Sequence, residues 1–334
     1  MALCKMLVRE GADVDVANTK LETPLMLAAA HGHMALVDVL TPRCDARSLD
    51  VQGQSALLWV CRNALLDTAA MKRRVRALLA RGADINAATK QGESPLFALV
   101  GNGCVETCVF LIEAGARVNV SLRTGDTPLL LASRLGLERH VELLLDSGAA
   151  IDSTNSEGDS ALSLCAQTGT TAAFAELLDW GADVNVANHK GMTPLMQACV
   201  NNLPGIVELL RQRSRVSGLT VNLEARSIPG GNTALHFAAE LRRESCVKAL
   251  VKTGADPSAV NDAGDTPLML AARHGHVSIA QRLIAAHAAV DSHNKDGETP
   301  LSIVSDNYCF QIEKLLRARG AVDRGAKRRR VTAQ

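Results

Sequence analysis

The chain has 334 residues, 47% of them apolar and 21% charged, with a formal net charge of +1 at neutral pH. That length and polarity suffice for a large core, and the near-balanced charge exerts no general pull on nucleic acid. Aromatic residues make up only 2% of the chain, which argues against base stacking and suits thin layers filled by Leu, Ala and Val.

No apolar run reaches the roughly 20 residues that span a bilayer, and the amino terminus lacks the basic-then-apolar pattern of a secretion signal. The nine cysteines are odd in number and fall at helical positions such as Cys61, Cys165, Cys199 and Cys246. They read as reduced, buried thiols rather than a disulfide framework. The expectation is a cytoplasmic protein with no membrane-inserted segment.

In chain order, Leu3 to Asp15 (LCKMLVREGADVD) reads as a second helix and the turn after it. The chain thus opens in mid-unit, either as part of a longer protein or with an apolar edge exposed, and the former is expected. A Thr/Ser-Pro/Ala-Leu signature then starts at Thr23, Ser55, Ser94, Thr127, Ser160, Thr193, Thr233, Thr266 and Thr299. Successive spacings are 32, 39, 33, 33, 33, 40, 33 and 33 residues, so the period is near 33 with two insertions. A second marker, Gly-Ala-Asp or a relative, recurs in phase at Gly11, Gly82, Gly115, Gly148, Gly181, Gly254 and Gly320.

The cleanest unit runs from Gly125 to Glu157. Gly125 and Asp126 suit a tight turn, Thr127 offers a helix cap, and Pro128 sits where a missing N–H is harmless. Leu129, Leu131 and Ala132 are expected to face inward, Gly136 to close this short helix, and Val141, Leu144 and Leu145 to form the apolar stripe of a second. One such unit cannot bury its apolar face alone, so neighbours must stack.

The first insertion falls around Asn63 to Lys72. It gives either a longer inter-helix loop or a lengthened second helix carrying Lys72, Arg73, Arg74 and Arg76. The second, Arg211 to Gly231, lacks the Gly-Ala-Asp ending, and its Ser, Gly and Pro content predicts an extended, mobile finger that is a candidate partner contact. Pro204 lies at the start of a second helix and breaks nothing. The chain ends in a basic tail, residues 323–334, expected to be disordered. There Lys327, Arg328, Arg329 and Arg330 raise a nuclear-import signal or an acidic-partner contact against a merely solvated end.

Motifs for phosphate cradling, phosphoryl transfer and zinc-dependent hydrolysis are missing from the sequence. His31-Gly32-His33 and His274-Gly275-His276 contain good metal ligands, but the repeat itself accounts for both. Cys104 and Cys108 share a helix face without a second pair at zinc-like spacing. The reading is non-catalytic, with no cofactor, no metal and no small-molecule substrate.

With its 33-residue period, T-P-L signature and phased glycines, the sequence resembles the ankyrin-repeat family over nearly its whole length. The resemblance implies an all-α fold, an α-solenoid of stacked helix-turn-helix repeats with projecting hairpin tips. The array would cover residues 1–322 as a half repeat followed by nine repeats starting near 18, 50, 89, 122, 155, 188, 228, 261 and 294. In the family a His follows the T-P-L and links neighbouring turns. Here only His236 keeps it, so apolar packing is expected to take over elsewhere.

The resemblance also implies a protein or peptide partner on a concave surface, with contacts at the tips and on the first helices. On the tips these are Lys90, Glu93, Arg123, Asp126, Glu157, His189 and Lys190, and on the helices Arg134, Leu135, Gln167, Asn201, Arg273 and His274. Their mixed charge fits a specific protein surface rather than a polyanion groove. The function implied is a scaffold or adaptor, and the alternative is the targeting segment of a longer enzyme or ion channel. Asn86 and Asn185, with Leu78 and Leu177 eight residues earlier, resemble sites of Asn hydroxylation in the family.

Overall fold

The structure, a computed structural model, describes residues 2–63, 68–306 and 309–322. Among these residues every regular element is a helix, apart from isolated bridge residues at Leu49, Ser55, Thr154 and Ser160. The chain divides into two compact units, Met1–Ser156 and Glu157–Gln334.

The first unit contains α1 (Ala2–Arg9), α2 (Pro24–Ala30), α3 (Met34–Leu40), α4 (Ala56–Arg62), α5 (Thr68–Ala80), α6 (Pro95–Gly101), α7 (Val105–Glu113), α8 (Pro128–Leu135) and α9 (Glu138–Asp146). A 3-10 turn, Thr41–Arg43, follows α3. The even-numbered helices pack on one another as an inner layer, and α3, α5, α7 and α9 form the outer layer.

The second unit contains α10 (Ala161–Thr168), α11 (Thr171–Asp179), α12 (Pro194–Val200), α13 (Pro204–Val216), α14 (Ala234–Glu240), α15 (Glu244–Thr253), α16 (Pro267–Arg273), α17 (Val277–Ala285), α18 (Pro300–Asp306) and α19 (Phe310–Ala318). The same two layers recur, with the even-numbered helices inside. Each unit is therefore a solenoid of stacked helix pairs, the all-α architecture that the 33-residue period predicts.

Capping explains why the inner helices start where they do. The Thr127 hydroxyl accepts from the Leu130 amide at 3.2 Å, and Thr23, Ser55, Ser94, Ser160, Thr193 and Thr266 cap their helices in the same way. Each cap satisfies an otherwise orphan donor of the first turn. Gly136, at φ 68°, closes α8 in the left-handed conformation.

The column that holds a His in the family is buried throughout the first unit, as Met26, Leu58, Phe97 and Leu130. Apolar packing has replaced polar stapling there. Where the His survives, His236 Nε2 lies 3.0 Å from the carbonyl of Asp265, across the repeat boundary. Leu131, expected inside, is instead half-exposed, while Leu130 beside it is fully buried. Leu129, Leu130, Ala132 and Ser133 are all buried, so with about 100° of turn per residue Leu131 falls on the one side of α8 that the neighbouring helices leave open.

Both insertions take a definite form. The first lengthens the second helix: α5 has 13 residues, against 9 in α7, and it carries the four basic residues. Residues 64–67 of that insertion lie outside the described residues. The second is not an extended finger. Arg211 to Val216 continue α13, which also reaches 13 residues.

The Gly-Ala-Asp turn is displaced beyond α13 rather than lost. Asn185 donates to the Thr220 carbonyl and accepts from the Asn222 amide, both at 2.8 Å. These are the bonds that Asn86 makes to Gly115 and Arg117. Thr220-Val221-Asn222 therefore stands where other repeats have Gly-Ala-Asp. Pro204 opens α13 at its first position, as its missing N–H requires.

One core group is unusual. His140, on α9, is buried, and its Nε2 has no hydrogen-bond partner. Burial lowers its pKa below the ordinary 6.5, with Glu106 opposing the shift. Burial likewise lowers that of His236 in the second unit.

The folded chain thus resists a proton that the unfolded chain accepts. Stability is full above about pH 6.5 and falls as the pH drops below it. Replacing His140 with Leu is expected to flatten the loss of urea-midpoint stability between about pH 7 and pH 5. A slope identical to that of the parent chain would contradict this account.

Candidate functional site

In seven of the nine repeats the loop tip carries a short polar side chain at one place, whereas Leu122 and Ile228 hold it in the other two. Five residues before the signature Thr or Ser stands Asn18, Asp50, Thr89, Asn155, Asn188, Asn261 or Asn294. Its side-chain oxygen gathers the amides of the tip: Asn188 Oδ1 accepts from Lys190 and Met192 at 3.0 Å each, and Asn294 Oδ1 accepts from Asp296 and Glu298. Such local side-chain bonds fix the turn before any partner arrives.

The same residue ties the tip to the repeat before it. Asn188 Nδ2 donates to Asp159 at 2.7 Å, and Asn294 Nδ2 donates to Asp265 at 2.8 Å. Both carboxylates are buried, at 3% and 5% exposure.

Backbone bonds join successive tips into a ladder. In the first unit the amides of Val51, Lys90, Arg123 and Ser156 donate to the carbonyls of Lys20, Gln52, Gln91 and Thr124. In the second, His189, Ile228, Asp262 and Lys295 donate to Glu157, Lys190, Gly230 and Ala263. The tip glycine allows this approach. At Gly125 (φ 78°) a methyl group would lie 2.9 Å from Asn155 Cα and the Ser156 amide nitrogen.

The flank of the inner helices lies beside the tips. In the first unit, Arg62 pairs with Glu93, donates to Gln54 at 2.6 Å and stacks 4.8 Å above the Trp59 ring. Arg134 pairs with Asp126 at 2.8 Å, and Leu135 beside it is 48% exposed. Leu27 is 36% exposed, and Trp59 and Leu131 are half-exposed. These three occupy the same position, four residues after the signature Thr or Ser, on α2, α4 and α8.

The second unit presents a more polar flank. Gln167 donates to Asp159 at 2.8 Å, and Asn201 is exposed and donates to the Gln197 carbonyl at 2.9 Å. Arg273 bridges Asp265 and Glu298 at 2.8 and 3.2 Å. Burial opposes ionisation of Asp265, yet hydrogen bonds from Arg273 and Asn294 and the Arg273 charge hold its carboxyl below the usual carboxylate range. His274 is exposed and stacks on His276, which in turn contacts the Glu240 carbonyl at 3.0 Å.

The structure thus assembles Lys90, Glu93, Arg123, Asp126, Arg134 and Leu135 on the tips and flank of the first unit. It assembles Glu157, Gln167, His189, Lys190, Asn201, Arg273 and His274 on those of the second. Arg134 and Arg273, two of the expected contact residues, are held by internal carboxylates.

Sequence reasoning missed Trp59, Leu27 and the exposure of Leu131. The available signal was a mostly apolar column directly after the signature, which reads as core by periodicity alone. Asn86 and Asn185 each cross-link two repeats, and Asn119 makes the same pair of bonds to Gly148 and Ala150 at 2.9 Å. Lys327, Arg328, Arg329 and Arg330 lie outside the described residues.

Two buried thiols, Cys61 on α4 and Cys108 on α7, are kept in the protonated form. Burial pushes the Cys108 thiol up to about 12 and the Cys61 thiol higher still. Neither is an available nucleophile. Among the described residues no helix is long and apolar enough to cross a membrane.

Comparison with known proteins agrees with this architecture. A family model described as ankyrin repeats (three copies) matches residues 1–71, 66–155, 140–224, 162–261 and 235–324. The chain is similar to the crystal structure of the human ASB11 ankyrin repeat domain, with 24% identity over 69% of this chain and 99% of that one, at a TM-score of 0.58. It is also similar to the ankyrin repeat domain of Bcl-3, a member of the IkappaB protein family, with 25% identity over 68% and 100% of the two chains, at a TM-score of 0.61. No curated protein matches it. With stacked helix pairs, a ladder of tips and family matches that together span residues 1–324, this chain belongs to the ankyrin-repeat family.

Proposed function

We propose that the protein is a non-catalytic scaffold or adaptor that holds a protein or peptide partner on the tips and inner-helix flank of its first unit. Ankyrin repeats are in general protein-interaction modules, and this chain's own residues favour one face. The observation that carries the reading is the set of Leu27, Trp59, Leu131 and Leu135 on the inner helices α2, α4 and α8, all at least partly exposed, with Arg62 beside Trp59 and Arg134 beside Leu135. Partly exposed aromatic and aliphatic groups beside arginine are the residue types that dominate protein interfaces.

The ion pairs of Arg62 and Arg134 support this reading in a second way. They hold long side chains in place before binding, which reduces the ordering entropy that association must overcome. The polar flank of the second unit fits a weaker or separate contact.

The test compares tagged parent chain with a Trp59→Ala, Leu135→Ala variant in quantitative affinity capture. The partner set retained by the parent is expected to fall by at least about tenfold in the variant, with its helical content unchanged. A Trp180→Ala control, which removes an exposed aromatic from the second unit, is expected to keep that set. Equal capture by all three chains would contradict the proposal.

A further inference from the structure

The first insertion creates a second site on the outer layer, away from the inner-helix flank. A cavity of about 450 Å³ opens between α5 and the end of α3 with its 3-10 turn. Among the described residues its walls carry Arg73, Arg74 and Arg81 against one acid, Asp38, and its apolar part includes Pro42 and Ala77. Helix α5 itself holds Lys72, Arg73, Arg74 and Arg76 and no acidic residue.

The partners of these arginines are quickly used up. Asp38 receives Arg74 Nε and Nη2 at 2.8 Å each, with Arg73 Nη2 3.7 Å away. Arg81 Nε donates to the Cys44 carbonyl at 3.0 Å. Arg76 points elsewhere, stacking 5.1 Å from the Phe110 ring.

Arg74 is 9% exposed, and its Nη1 is buried with no hydrogen-bond partner. Among the described residues one carboxylate thus serves a cavity walled by three guanidinium groups. An excess of positive charge beside a desolvated, incompletely paired arginine favours a further anion.

We propose that this cavity is a docking site for an acidic peptide segment of a partner protein. One carboxylate is held between Arg73 and Arg81 above the buried charge of Arg74, and a neighbouring apolar side chain lies on Pro42 and Ala77. The planar guanidinium fork matches a carboxylate in two parallel bonds, and the apolar floor has no use for a bare phosphate backbone. Stacking of bases has no platform here, since no aromatic residue lines the cavity. The site is independent of the inner-helix flank, because none of its residues lies on an inner helix.

The experiment titrates the full chain with a fluorescein-labelled peptide of about ten alternating Glu and Leu residues, read by anisotropy. Saturable binding is expected, weakened at least about tenfold in an Arg73→Gln, Arg81→Gln variant and severalfold in the charge-preserving Arg73→Lys, Arg81→Lys variant. The Trp59→Ala, Leu135→Ala variant is expected to bind the peptide like the parent, which separates this site from the proposed recognition flank. Helical content is measured for every variant, and the lysine variant keeps the test decisive if the glutamine variant is unfolded. Undiminished binding by both arginine variants would overturn the proposal. So would stronger binding of a single-stranded oligonucleotide of equal charge, which would assign the cavity to nucleic acid.

Discussion

Replacing Phe174 with alanine is expected to lower the stability of the second unit by about 3–5 kcal/mol, the largest single effect in the chain. Phe174, on α11, has no exposed surface and is the bulkiest of the fully buried side chains among the described residues. Truncation removes its transfer free energy and leaves a cavity that two short helices cannot close. Its consequences are local, because each helix pair packs only on its neighbours. α11 touches α10 and α13, whereas α17 and α19 lie beyond their reach.

In a stack of this kind, stability is close to a sum of repeat and interface terms. Native-state hydrogen exchange is therefore expected to show lost protection in α10 to α13 and near-parental protection in α17 to α19. Uniform loss from α10 to α19 would mean that the unit opens as one block, contrary to the nearest-neighbour account.

Gly125→Ala is expected to be the most damaging glycine substitution in the repeat that starts near residue 122, and a matched control isolates the reason. Gly125 and Gly148 have nearly the same backbone, φ 78° and 84°. A side chain in that conformation costs about 1–2 kcal/mol at either position. Only at Gly125 does a methyl group also meet the next tip, 2.9 Å from Asn155 Cα, whereas at Gly148 nothing lies within 4 Å.

Backbone on the receiving side cannot step aside as a side chain could, so the two tips must part. The bond from the Ser156 amide to the Thr124 carbonyl, 2.8 Å long, is the first casualty. Gly125→Ala is expected to cost about 1–3 kcal/mol more than Gly148→Ala in urea denaturation. Equal costs would show that the tip ladder contributes nothing beyond local turn geometry.

Much of this architecture was legible because it is written in short-range chemistry. Thr127 caps and Pro128 starts a helix for reasons contained within a few residues, and their recurrence gives the stack. The displaced turn after α13 was not legible. Thr220-Val221-Asn222 shares no residue with Gly-Ala-Asp, and only its bonds to Asn185 reveal the equivalence.

One feature of the candidate surface is not legible in the sequence. Arg134, Gln167 and Arg273 each lie eight residues after an Asp, and each is held by it. Spacing of eight places both groups on one flank, but whether they meet depends on how the tip folds back over the helix. Trp59 was overlooked for the opposite reason. Its column is apolar in most repeats and is buried at Leu164 and Leu270, while at Trp59 and Leu131 the exposed flank reaches it. Periodicity identifies a helix face, but exposure at the edge of that face is decided by the neighbouring repeat.

The two tryptophans of the chain, Trp59 and Trp180, allow the central claim to be tested directly. In a Trp180→Phe chain, Trp59 is the sole tryptophan and reports from the middle of the proposed recognition flank. Adding the captured partner is expected to shift its emission to shorter wavelength and shield it from iodide quenching, as water leaves the flank. A partner that binds at full affinity while leaving the Trp59 spectrum and its quenching unchanged would contradict the account.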